Sequence, residues 1–159
     1  MLFLLATSEY NNVQLNTTKV RVHLRNGIAE IFDQHQDLMG KVENNLVEIE
    51  TNFENKIEKF SFILQDAVFV VSNKGLEGTL EHKGTGVYVY AKKVREVNSN
   101  VSIDEITKQY DQKKLQLDGE LEKVKENEEN KALNSKILLL KEDVEFLRRS
   151  LIIIKEIKG

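Results

Sequence analysis

The stretch KALNSKILLLKEDVEFLRRSLIIIKEI, residues 131–157, decides the fold. Within it Leu133, Ile137, Leu140, Val144, Leu147, Leu151 and Ile154 recur at alternating steps of four and three. At 3.6 residues per turn that spacing stacks them on one face of a long helix. At 1.5 Å per residue the helix is roughly 40 Å long. Lys155 and Lys158 suit the negative end of its dipole. The helix also carries more apolar surface than one neighbouring helix covers. Leu138, Leu139, Ile152 and Ile153 lie outside the stripe and need cover from the rest of the chain or from another subunit.

Just upstream, a second amphipathic run starts at a capping box. Ser102 and Glu105 have the S-x-x-E spacing that satisfies two orphan backbone N–H groups at a helix start, and Val101 and Ile106 sit where a hydrophobic staple packs. Ile103, Ile106, Tyr110, Leu117, Leu121 and Val124 mark its apolar stripe. Gly119 weakens the middle by up to about 1 kcal/mol relative to Ala. The polar run Glu126-Asn127-Glu128-Glu129-Asn130 reads as the connection, with Asn130 as N-cap of the next helix. A connection that short makes the two helices antiparallel neighbours.

The first hundred residues are patterned differently. Val20, Val22 and Leu24 interleave with Arg21 and His23; Phe60, Phe62 and Leu64 alternate in the same way, as do Val87, Val89 and Ala91. Residues 46–50 and 67–72 are rich in branched and aromatic side chains and short enough for strands. Turn signals separate them at Asn26-Gly27, Asn44-Asn45, 52–55 and Asn73-Lys74-Gly75. The apolar residues 1–6 read as a first strand, since no basic segment precedes them and the run stops at Thr7-Ser8-Glu9. Residues 74–86 hold four glycines and read as a long loop or hairpin tip. The expected fold is β + α: a flattened N-terminal β-sandwich over residues 1–100, then an antiparallel two-helix hairpin over 101–159.

Composition narrows the function classes. In 159 residues there is no Cys, Trp or Pro, and the net charge is −3. Thiolate metal sites and disulfides are excluded. No basic face recruits nucleic acid. No stretch approaches the ~20 apolar residues of a membrane span. Lys outnumbers Arg 18 to 5 and Asn occurs 14 times, a bias that marks an AT-rich genome.

No catalytic constellation stands out. The three histidines, His23, His35 and His82, have no helical metal-ligand spacing between them. The glycines at 75, 78, 84 and 86 do not open a helix with phosphate-loop spacing. The acidic run 120–129 reads as a solvated hairpin end, and Lys92-Lys93-Val94-Arg95 as a short solvated basic patch before the first helix. The expectation is a chain with no catalytic residues, no metal and no cofactor.

Taken in order, the elements resemble the epsilon subunit of F1-type ATPases, the small central-stalk subunit of ATP synthases. That family carries a loop of the type G-x-x-G-I-L-P-x-H-x-P-L. Here, in GIAEIFDQHQDL (27–38), Gly27, Ile31, His35 and Leu38 fall in register with it; Phe32 replaces the Leu, Glu30 the second Gly, and Asp33 and Asp37 the two prolines. Residues 66–71 lie where the family has a G-G-F-x-E-V strand, 87–92 resemble its last strand, and 74–86 look like an insertion. Ile103-Asp104-Glu105 matches the start of a helix motif of the type [IL]-D-x-x-R-A, with Thr107 in place of the Arg.

The resemblance implies a non-catalytic rotor subunit of an ATP synthase or related ATPase. Its partners would be a gamma-like rotor subunit and the alpha and beta catalytic subunits. Its place would be cytoplasmic, peripheral at the inner face of the cell membrane. Subunit-interface candidates are Ile31, His35, Leu38, Leu138, Leu139, Ile152 and Ile153. Asp104, Arg148 and Arg149 are candidates for nucleotide contact on the hairpin. Two alternatives stand beside this reading. One is an epsilon-like subunit of a specialised, mycoplasma-type F1-like ATPase that drives other cell machinery such as gliding. The other is a free-standing β-sandwich binding module with a self-associating hairpin.

Overall fold

A computed structural model describes residues 1–9, 12–74, 84–126 and 131–159; of the side chains of residues 126 and 131–133 nothing is said. The glycine-rich segment with His82, the connection with the Asn130 cap, and the Leu133 side chain therefore lie outside the described residues. Eight strands come first: β1 (Leu2–Ala6), β2 (Val13–Asn16), β3 (Lys19–Leu24), β4 (Gly27–Phe32), β5 (Leu38–Val42), β6 (Asn45–Phe53), β7 (Lys56–Ser72) and β8 (Gly86–Val97). Two helices follow, α1 (Ile103–Glu126) and α2 (Lys131–Lys158). The chain divides into two units, Met1–Ser99 and Asn100–Gly159. The architecture is the expected one, a β-sandwich followed by a two-helix hairpin.

In the first unit the strands run β2-β1-β8-β7-β6-β3-β4, with β5 also paired to β7. Among the described residues all pairings are antiparallel except β1 with β8. Local chemistry fixes the tight turns. Leu24 pairs with Gly27, so Arg25-Asn26 form a two-residue hairpin turn. Phe53 pairs with Lys56, and Glu54 (φ 50°) and Asn55 (φ 63°) take the left-handed conformation that such a turn requires.

Three expectations are corrected here. Residues 60–72 are not two strands but parts of one strand of 17 residues. Much of the segment that resembles a family loop, Gly27–Phe32, is strand β4. The strand expected over 87–92 runs on through the basic run 92–95, which lies half-buried within β8.

The long strand β7 holds the key to the layers. Phe62 and Leu64 face the core, and then Ala67, Phe69 and Val71 do. The inward positions pass from even to odd numbers across Asp66, which adopts φ 47°. Its neighbour makes the same reversal. Leu64 pairs with Asn45 and Ala67 with Val42, so β5 and β6 lie end to end along β7. Between them Asn44 takes φ 49°. In β8 the inward set likewise passes from Val87, Val89 and Ala91 to Val94. These strands kink along one line, and the sheet doubles over it into two layers. The core between the layers contains Phe3, Leu5, Val20, Val22, Ile31, Val47, Ile49 and Phe69, each at most 1% exposed.

The second unit begins as its sequence dictates. The Glu105 N–H donates to Ser102 Oγ at 3.2 Å, the capping bond of α1. Lys113 pairs with Asp143 (3.5 Å), and Glu120 with Lys136 (2.9 Å). Going up one helix while going down the other by the same number of residues makes α1 and α2 antiparallel. Ile137, Leu140, Leu147 and Ile154 of the stripe are buried. In α1 the stripe shifts by one position at its far end: Glu120 is buried and Leu121 exposed. Glu120 tolerates that position because Lys136 and Lys123 both reach its carboxylate.

Candidate functional site

At one end of the sandwich the loop 33–37 carries His35. Gln34 sits at φ 63°, and its N–H donates to Asp33 Oδ1 (3.1 Å) and to Thr85 Oγ1 (2.7 Å). Asn73 donates through its backbone N–H (3.2 Å) and its Nδ2 (3.1 Å) to Asp37 Oδ1, and through Nδ2 to the His35 carbonyl (2.7 Å). Thr85 Oγ1 donates to Asn73 Oδ1 at 2.6 Å. The two carboxylates that stand where the resembled family has prolines thus hold the loop by hydrogen bonds, where a proline ring would hold φ. The His35 imidazole Nδ1 lies 2.7 Å from the Gln36 carbonyl and the side chain is half-buried. Leu38 is half-buried against the core at the start of β5. Ile31 is wholly buried in that core, so no partner reaches it, and its place among the interface candidates is withdrawn.

The hairpin candidates are not brought into one polar cluster by any contact among the described residues. Arg148 is held by Glu145 one turn earlier, with Nε donating to Oε2 at 2.9 Å and the terminal nitrogen to Oε1 at 2.6 Å. That pairing holds the Glu145 carboxyl below its usual range and raises Arg148. Asp104 is exposed in the first turn of α1, and Arg149 is half-buried. Thr107, where the resembled motif has Arg, donates its hydroxyl to the Ile103 carbonyl at 2.8 Å. Of the apolar candidates, Leu138 and Leu139 are 59% and 54% exposed. Ile152 is half-buried and Ile153 buried.

The two outer faces of the sandwich differ in chemistry. On β4, β3 and β6 the outward residues include the ion pairs Lys19–Glu50 (3.5 Å), Arg21–Glu30 (3.1 Å) and Arg21–Glu48 (3.6 Å); His23 Nε2 lies 2.7 Å from Glu48 Oε2, and Ile28 and Phe32 of β4 stand exposed beside them. These charges neutralise one another, and a shallow hollow beside them is lined by Lys19, Arg21, Glu50, Lys59 and Ser61. The outward face of β5, the second half of β7 and the first half of β8 is apolar. Met39 pairs with Val70 and Val70 with Tyr88; Lys41 pairs with Val68 and Val68 with Tyr90. Met39 is 75% exposed, Tyr90 56% and Val68 47%. Tyr88 lies across Gly86, where an added Cβ would meet its ring and hydroxyl. Burial raises the Tyr88 hydroxyl above its usual value. Sequence reading missed this face, because alternation shows that two sides exist but not which one the core takes.

Among the described residues no three His, Cys, Asp or Glu gather as metal ligands do. No described helix is long and apolar enough to cross a membrane. No protein-family model matches the chain, and no curated protein matches it. Its fold is similar to that of a chain in the cryo-EM structure of the Euglena gracilis mitochondrial ATP synthase, OSCP/F1/c-ring in rotational state 1. The TM-score is 0.60 at 9% identity, over 96% of this chain and 79% of that one.

Proposed function

We propose that this chain is a non-catalytic subunit of a rotary ATPase, placed on the central stalk in the manner of an epsilon subunit. The observation that carries the reading is the likeness to a chain of the Euglena assembly, which covers 96% of this chain and so takes in both units. The resemblance in element order and in the 27–38 segment is independent support. In this reading the sandwich docks on a gamma-like subunit beneath the alpha and beta catalytic subunits, peripheral to the membrane. The hairpin either stays closed or opens along the stalk to hinder rotation. Closed and open states compete for one apolar stripe, and a partner shifts the balance only by binding one state better.

The hydrogen-bonded loop with Asp33 and Asp37 favours one variant. In the resembled family that loop faces the membrane rotor ring, and two added carboxylates alter such a surface. A motor serving other cell machinery, with no ordinary ring, fits that change; an intact ring in the native complex would rule the variant out.

The test is co-expression of the tagged chain with the gamma-like, alpha and beta subunits encoded in the same genome. The expected result is one complex containing all four, with no ATP hydrolysis by the isolated chain. Elution of the chain by itself, with the other three assembled without it, would overturn the reading.

A further inference from the structure

We propose that the hairpin carries a register lock: three rungs across its seam let α1 and α2 pair at one offset and bring like charges together at the next. The lock belongs to the chain itself and does not depend on the rotary-ATPase reading.

The apolar stripes alone do not set the offset. In α1 Ile103, Tyr110, Leu117 and Val124 recur every seven residues, and in α2 Leu140, Leu147 and Ile154 do the same. Sliding one helix along the other by seven residues therefore lays stripe on stripe again. A second row with the same period breaks that degeneracy. In α1 it is Ile106, Lys113 and Glu120; in α2 it is Lys136, Asp143 and Ser150. The pairs Glu120–Lys136 (2.9 Å) and Lys113–Asp143 (3.5 Å) fix the offset. By the same count Ile106 stands opposite Ser150, and the two are 1% and 0% exposed. Ser150 needs no partner across the seam, since its hydroxyl donates to the Phe146 carbonyl at 2.7 Å.

A slip of seven residues is opposed in either direction. In one, Glu120 meets Asp143 and Lys113 is carried to the level of buried Ser150. In the other, Lys113 meets Lys136 and Asp143 is carried to the level of buried Ile106. Each slip sets like charges face to face and brings a further charge to a buried position without a partner. Charges in a helix seam add little stability, but choosing the register is the use for which they are best suited. A hairpin that opens is thereby returned to one pairing and not to its neighbours.

The chain has no Cys, so spin labels on Lys108→Cys and Asn134→Cys, both exposed, report one distance along the hairpin. A slip of seven residues, at 1.5 Å per residue, changes it by about 10 Å. The parent is expected to show a single distance. Lys113→Leu with Glu120→Leu leaves an apolar seam that keeps the helices paired, and is expected to split the distribution into populations about 10 Å apart. Glu120→Lys sets a cation against Lys136 in the native register and against Asp143 in the slipped one, so its population is expected to move to the longer distance. Adding Lys136→Glu is expected to bring the parent distance back. A single parent distance in the Leu variant overturns the proposal. So does a split distribution in the parent, or a move to the shorter distance with Glu120→Lys.

Discussion

The sandwich and the hairpin solve the same problem with different means. The sandwich buries Phe3, Val20, Val22, Ile31 and Phe69 almost completely, and no charged residue enters that cluster. The hairpin interrupts its seam with charge: Lys113 and Glu120 stand on the α1 side and are answered by Asp143 and Lys136 on α2. Ion pairs at half-exposed positions contribute little to stability but fix which residues face each other. The sandwich is held by pairings far apart in sequence, while the hairpin needs only its own sixty residues. The sandwich ties distant parts of the chain together and the hairpin ties only neighbouring ones, so the two are expected to differ in how readily they open.

The sharpest break in that contrast comes from the core. Phe69→Ala is expected to cost about 3–5 kcal/mol, since it empties a fully buried position between the layers. Urea unfolding followed by circular dichroism measures it, and a cost below about 1 kcal/mol would mean the layers are not packed as described.

Next comes the hairpin. Leu140→Asp places a charge at a buried seam position and is expected to cost several kcal/mol locally. Amide exchange in α1 and α2 should accelerate while β7 and β8 keep their protection. Equal acceleration in both units would show that they do not open separately.

The kink line offers a smaller test. Asp66 pays for its left-handed backbone, so Asp66→Gly is expected to gain about 0.5 kcal/mol and Asp66→Val to lose roughly 1–2 kcal/mol. The opposite order in thermal melts would remove the kink as the cause of the reversal in strand faces.

The smallest effect concerns pH. The hydrogen bond from Lys136 holds the Glu120 carboxyl below its ordinary 4.5, with the charges of Lys123 and Lys136 adding to it. A depressed folded value means that the pairing stabilises the hairpin above the ordinary value. That contribution is lost as pH falls through the lower, folded one. Helix amide exchange, corrected for intrinsic rate, should rise over that interval, and Glu120→Gln should flatten the rise. An unchanged profile in the variant would assign the effect to another group.

How far the sequence reveals this molecule depends on the signal. The four-and-three spacing of Ile137, Leu140, Leu147 and Ile154 leads directly to a buried helix face, because helical period and burial coincide there. The Ser102 cap is equally plain. Strand β4 was hidden: Ile28, Ala29, Ile31 and Phe32 leave a nearly continuous apolar run with no alternation to read. The joining of β7 was hidden for another reason, since Asp66 looks like a break in the pattern and is a reversal of it. Which apolar residues stay on the surface is the least legible. Ile31 matches a family motif, yet the core claims it. Only the register between strands brings Met39, Val68 and Tyr90 side by side.

The central claim is that this sandwich and hairpin ride on a rotary ATPase. Imaging the native complex, purified through a tag on this chain, tests it most directly. The account predicts an ATPase head of alpha and beta subunits with this chain at the foot of the stalk. Particles made of this chain alone, or a complex lacking any ATPase subunit, would contradict it.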